Sequence, residues 1–194
     1  MPTTVIQGNF MFRDIRRNEK KLTVEECNEI LMKAEYGTLA TMGIDGYPYA
    51  VPVNYVFQNG GIYFHCAIVG HKLDNIAHCS NVSFNVVTDV RVIPLLSEGQ
   101  NDNNAPIFNG FDTDFNSVTV FGKAGEVFEK EKRDGLLALF KRFLTEDEYM
   151  KYKEVGIKYI EKSLARTKLI KINIEHVTGK RGIKENRQIP GSQH

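Results

Sequence analysis

Apolar and polar positions alternate along the chain with two different periods. After Thr23-Val24-Glu25-Glu26, which has the form of a capping box, Cys27, Ile30, Leu31 and Ala34 recur at helical spacing. That spacing predicts a first helix over 24–35. A period of two follows. It predicts a strand over 38–42, a second over 47–57 and a third over 62–67. Asp45-Gly46 and Asn59-Gly60-Gly61 supply the turns between them. Pro48 and Pro52 lie within the second run. Neither can donate to a ladder, so that strand is expected at an edge or with a bulge. After Gly70 a short helix fits 71–78, with Leu73, Ile76 and Ala77 on one face, and a fourth strand fits 81–88.

The second half repeats the alternation with longer interruptions. Residues 94–116 are polar, with Asn101, Asp102, Asn103 and Asn104 in a row. A segment this long reads as a lid or an insertion. A fifth strand is expected over 117–128, with a bulge at Gly125 where the phase shifts. Two helical stretches follow. One carries Leu136, Phe140 and Phe143. The other opens on a second capping box, Thr145-Glu146-Asp147-Glu148, and is expected to break at Gly156 and resume over 157–164. Ile170, Ile172 and Ile174 alternate with Lys171, Asn173 and Glu175 in a closing strand over 168–175. About six antiparallel strands with helices at their ends describe a small barrel with helical additions. The expected organisation is a basic arm over 1–20, one domain over 21–182 with an insertion near 95–116, and a flexible tail over 183–194.

Composition narrows the partners. The chain has 194 residues, 25 Lys plus Arg against 24 Asp plus Glu, and a formal net charge of +1. That balance points to neither nucleic acid nor a membrane surface. No run approaches the length of a membrane span. Cys27, Cys66 and Cys79 form no CxxC pair, which favours a reducing cytoplasm over a disulfide framework. The five histidines show no metal-ligand spacing, so no metal site is expected. Arg13, Arg16, Arg17, Lys20 and Lys21 make the arm basic. It is either solvated or folded over an anionic ligand.

Three segments carry candidate chemistry. In GIYFHCAIVGHKLDN, residues 61–75, a strand ends, Gly70 turns, and a helix opens with His71 and Lys72. Helix N-termini expose unpaired N–H groups, and Lys72 adds a charge, so the turn suits a phosphate. The plain alternative is a solvated lysine. In YAVPVNY, residues 49–55, Val51, Pro52 and Val53 either line a slot for a flat ring or belong to the core, and Asn54 is a polar group in an apolar strand. Ser117, after Asn116, marks a strand entrance or reaches toward a phosphate. No nucleophile triad or carboxylate pair appears, so a cofactor would supply any chemistry.

At these residues the chain resembles a known family. The run YGTLATMGIDGYPYAVPVNYVFQNGGIYFHCAIVGHKLDNIAHCSNVSFNVV looks like the flavin-binding half of the Nim-type 5-nitroimidazole resistance proteins. These are a branch of the pyridoxamine-5′-phosphate-oxidase-like split barrels. The likeness resumes at FNSVTVFGKAGEV and at HVTGKRG, and spans most of residues 13–182. The resemblance implies a mainly β (α+β) fold, a six-stranded antiparallel split β-barrel with peripheral helices. It implies a homodimer with flavin at the subunit interface and a small-molecule substrate. By position, His71 and Lys72 match the phosphate-binding turn, and Val51, Pro52, Val53 and Asn54 match the strand beside the isoalloxazine ring. Phe64 and His65 match the strand end near the ribityl chain, and Ser117 a polar position approaching the phosphate. His71 also matches a histidine near the substrate, and so is the candidate catalytic residue. The implied cofactor is FMN, with FAD or heme as alternatives found among relatives. The phosphate site here is poorer in arginine than that of the oxidase proper, and the oxidase's C-terminal substrate motif is missing. The expected function is a flavin-dependent oxidoreductase acting on a nitroimidazole or another small acceptor. The alternatives are a non-catalytic flavin or heme binder and a barrel used for protein contacts.

Overall fold

The computed structural model describes residues 12–100, 106–108 and 111–182. Most of the expected arm, two parts of the 95–116 segment and the whole tail over 183–194 lie outside the described residues. Among the described residues, four α-helices, α1 (Val24–Lys33), α2 (His71–His78), α3 (Glu129–Arg142) and α4 (Glu146–Ser163), accompany nine strands. The strands are β1 (Gly37–Met42), β2 (Pro48–Val53), β3 (Val56–Gln58), β4 (Gly61–Ala67), β5 (Asn81–Val92), β6 (Leu96–Gln100), β7 (Pro106–Phe108), β8 (Thr113–Val127) and β9 (Thr167–Arg181). Seven form one antiparallel sheet in the order β2-β1-β5-β8-β9-β4-β3, and β6 and β7 form a separate hairpin.

The order of that sheet dictates its shape. Its two margins are β2 and β3, yet only Asn54 and Tyr55 separate them in the chain. The sheet must therefore curl until its edges nearly meet, leaving a barrel split along one seam. The expected second strand, 47–57, is broken at this point into β2 and β3, so seven strands stand where six were expected. Pro48 and Pro52 lie on the margin, where a missing N–H costs no ladder bond.

Inward-facing residues fill the barrel. Leu39, Phe84, Val86, Val118, Val120, Ile170 and Ile172 are fully or almost fully buried, and Leu31 of α1 joins them at one end. Tyr55 leaves the seam to donate from its hydroxyl to Leu31 O at 2.6 Å. A second cluster lies outside the barrel wall. There Leu136 and Leu139 of α3 pack on Tyr63, Val56 and Leu169.

Two expected irregularities fall elsewhere. Helix α4 runs through Gly156 without a break. A Cβ at Gly156 would sit 2.3 Å from the Phe140 ring, so this glycine permits close approach of α3 and α4. The bulge expected at Gly125 occurs where Phe121 pairs with His176 and Gly122 with Ile174, leaving Glu175 as the extra residue. A Cβ at Gly122 would meet Asn173 O at 2.2 Å. In the polar segment, β6 and β7 form a hairpin, and β8 already starts at Thr113.

Candidate functional site

The site is assembled where α2 crosses the end of the barrel beside β2. Asn75 of α2 is buried and donates from Nδ2 to Thr41 Oγ1 at 3.0 Å. Thr41 Oγ1 reaches Tyr49 O at 3.4 Å. This relay ties the helix to β1 and β2. At the other end of α2, the His71 and Tyr49 rings lie 4.2 Å apart between centroids.

The N-terminus of α2 is open. Gly70 occupies the N-cap with φ 144°, a conformation suited to glycine, and no side chain caps the helix. Gly70 O accepts from Leu73 N and Asp74 N at 2.8 and 3.2 Å. The N–H groups of His71 and Lys72, at the start of the helix, have no intrahelical acceptor. Lys72 is half-buried and, among the described residues, no carboxylate pairs with it. Its charge acts on its neighbours. Burial, with the Lys72 ammonium second, holds His65 below the usual imidazole range. Burial raises the Cys66 thiol, while Lys72 and Lys168 oppose the rise. His65 faces outward and Cys66 inward at the end of β4, and the Lys72 charge acts on both.

The open margin of β2 has a defined hydrogen-bonding edge. Gly43 N donates to Tyr47 O at 3.0 Å, and bonded and non-bonded pairs alternate along an antiparallel ladder. With Thr41 opposite Tyr49, Leu39 opposite Val51 and Gly37 opposite Val53, these β2 residues direct their backbones toward β1. Pro48, Ala50 and Pro52 direct theirs to the open side. That side offers three carbonyls and a single N–H, from Ala50. Another strand cannot add to such an edge, but a flat heterocycle with alternating acceptor and donor atoms can.

The structure divides the sequence-predicted residues. His71, Lys72 and His65 converge at the α2 end, and Val51, Pro52, Val53 and Asn54 form the adjoining margin. Val51 and Val53 are half-buried against the core, while Pro52 and Asn54 are exposed. The Phe64 side chain is fully buried in the barrel. Ser117 stands apart. It lies on the outer face of β8, opposite Val87 and Lys180, whereas Thr41 and Tyr49 lie near the start of β5. At ~3.3 Å per residue and ~4.8 Å between strands, roughly 20 Å separates Ser117 from the Tyr49–His71 contact. The relay through Asn75 and Thr41 has no sequence signal, because only folding brings the two residues together. Among the described residues, no cluster of three His, Cys, Asp or Glu side chains is placed to hold a metal ion, and no helix is long and apolar enough to cross a membrane.

The model of one known family, pyridoxamine 5′-phosphate oxidase, matches residues 23–181. The chain belongs to the pyridoxamine 5′-phosphate oxidase family. No curated protein sequence matches it significantly. Among solved structures, it is similar to a candidate 5-nitroimidazole antibiotic resistance protein from Bacteroides thetaiotaomicron, with 19% identity, TM-score 0.61, and 82% of this chain and 85% of that one covered. It is also similar to a flavocytochrome from Azotobacter vinelandii, with 18% identity, TM-score 0.65 and coverage of 88% and 73%. An FAD- and heme-binding protein from Mycobacterium smegmatis gives 18% identity, TM-score 0.61 and coverage of 88% and 77%. At these identities the family member shares their split-barrel fold.

Proposed function

We propose that this family member binds FMN and works as a flavin-dependent oxidoreductase on a small acceptor such as a nitroimidazole. The observation that carries the reading is the uncapped start of α2, where Lys72 has no carboxylate partner, beside the proline-punctuated margin of β2. The His71 and Lys72 N–H groups and the Lys72 ammonium fit a phosphate. The Ala50 N–H can donate to a ring carbonyl, and a neighbouring exposed carbonyl can accept from a ring N–H. Bound flavin would supply the hydride and electron chemistry. The protein's part is to hold the ring and exclude water. His71, whose ring lies tilted against Tyr49 at the rim, is the candidate to hold or deliver a proton at its imidazole.

In this reading the protein acts as a homodimer. Ser117 lies too far from Lys72 to serve the same phosphate within one chain, but faces outward where a second copy can receive it. The three free cysteines fit the cytoplasm. A second reading, a non-catalytic flavin or heme binder, is favoured by His65, whose neutral imidazole is the form that ligates iron. Anaerobic reduction by NAD(P)H, followed by addition of a nitroimidazole, separates the two. Reoxidation coupled to loss of the nitro absorbance supports the oxidoreductase. Bound flavin that is never reoxidised by the acceptor, or a Soret band in place of a flavin spectrum, supports the binder.

A further inference from the structure

A hollow lies beyond the seam, and neither His71 nor Lys72 lines it. Two adjoining spaces, of about 490 and 550 Å³, share Tyr36 and Asn54. They lie between the end of α1, the turn from α3 to α4 and the point where β2 gives way to β3. Arg142 builds the inner wall. Its guanidinium donates to Met32 O at 2.8 Å and to Ala34 O, closing the carbonyl end of α1, and lies 5.2 Å from the Tyr55 ring centroid. Its terminal nitrogens are thus engaged by α1 and its Nε is buried without a partner, while its positive charge stays in the wall of the hollow.

The remaining groups give the hollow a chemical preference. Tyr36 is 60% exposed and Phe143 51%, so two aromatic faces border the space without ring partners among the described residues. The Asn54 amide and the Glu35 carboxylate are exposed and have no hydrogen-bond partner among the described residues. Glu148 is ionised. Backbone bonding to Thr145 N holds it below the usual carboxylate range, and its Oε2 also accepts from Thr145 Oγ1 at 3.0 Å. Its other oxygen is left for a ligand. Glu35 and Glu148 together outweigh the single charge of Arg142, which already satisfies the carbonyl end of α1, and the amide end of α4 is already capped by Thr145 and Glu148.

We infer that this hollow binds a planar aromatic molecule that is cationic or rich in hydrogen-bond donors. Tyr36 and Phe143 contact the ring faces, Asn54 fixes one edge, and Glu35 and Glu148 accept from the charged end. Asn54 is shared with the proposed flavin margin, so the molecule bound here would lie at the end of the flavin ring as its reaction partner. That last step rests on the flavin reading; the binding itself does not.

Benzamidinium, benzamide and benzoate are nearly isosteric planar probes of charge +1, 0 and −1. Titrated into ¹⁵N-labelled full-length protein, benzamidinium is expected to shift the Asn54 side-chain amide and the Tyr36 and Thr145 backbone amides. It should bind about tenfold more tightly than benzoate, with benzamide between. Glu35→Gln should reduce the preference for the cation about threefold, and Tyr36→Ala should weaken all three probes while Tyr36→Phe preserves them. Benzoate binding as tightly as benzamidinium, shifts confined to other residues, or no saturable shift would overturn the proposal. So would shifts at the hollow that follow protein concentration instead of probe. The titration is run with and without FMN. Benzamidinium binding in protein that takes up no FMN retires the flavin reading alone, and FMN-loaded protein that ignores benzamidinium retires this one alone.

Discussion

At the scale of single residues, some of the described charges are held in ion pairs and others, Lys72 among them, are not. Asp89 shows the paired condition. It adopts φ 55° at the bulge in β5 and accepts from Asn116 Nδ2, Lys33 Nζ and Thr88 Oγ1. These bonds, with that of Asn116 first, lower its carboxyl to about 2. The folded state thus binds the proton less readily than the unfolded chain. The stabilisation is full above the unfolded pKa near 4 and is lost as pH falls from about 4 toward 2. The carboxylate is partly exposed, so after solvent screening it contributes about 1 kcal/mol. Asp89→Ala should lower stability by that amount at pH 7 and by much less at pH 2.5, as read by urea denaturation at the two pH values. Tyr55→Phe removes the bond to Leu31 O inside the core and leaves that carbonyl unsatisfied. A loss of about 1–2 kcal/mol in the same assay is expected. Burial has already raised the Tyr55 hydroxyl to about 12, so this effect should not vary between pH 6 and 9.

At the scale of elements, Gly156 separates two accounts of α4. A helix-breaking glycine replaced by alanine would stabilise the helix by about 1 kcal/mol. The structure instead places Phe140 against the missing Cβ, so Gly156→Ala should destabilise by about 1–3 kcal/mol through overpacking of α3 on α4. A rise in melting temperature would contradict the close approach. The sequence signalled both capping boxes, α2 from end to end and the edge position of β2, because each depends on local chemistry: a Thr and Glu three apart, a glycine before a helix, a proline in a strand. It could not signal which glycine sits at a bulge, since Gly122 is special only through the carbonyl of Asn173 on another strand. The break at Asn54 and Tyr55 was equally hidden. It arises because Tyr55 turns in to meet Leu31, far earlier in the chain.

At the scale of the whole molecule, the curled sheet brings together groups that no spacing connects. His71 and Lys72 were readable as a cationic turn, and the family resemblance placed the β2 margin beside them. Folding adds Tyr49, Asn75 and Thr41, which hold the turn against that margin, and sets Ser117 apart on the outer face. If a second copy supplies Ser117, the particle in solution should have twice the 22.0 kDa mass of the chain. Mixing Lys72→Ala and Ser117→Ala chains should then restore tight sites in the mixed dimers, because one site in each receives both native residues. Absence of recovery after verified subunit exchange would place both residues in the same chain's site, or Ser117 outside it.

The most direct test compares FMN with riboflavin, which lacks only the phosphate. Equilibrium titrations of the native protein should show FMN binding about one to two orders of magnitude more tightly, and Lys72→Ala should remove most of that difference. Equal affinity for the two ligands in the native protein, or an FMN preference untouched by Lys72→Ala, would contradict the assignment of the α2 turn as the phosphate site.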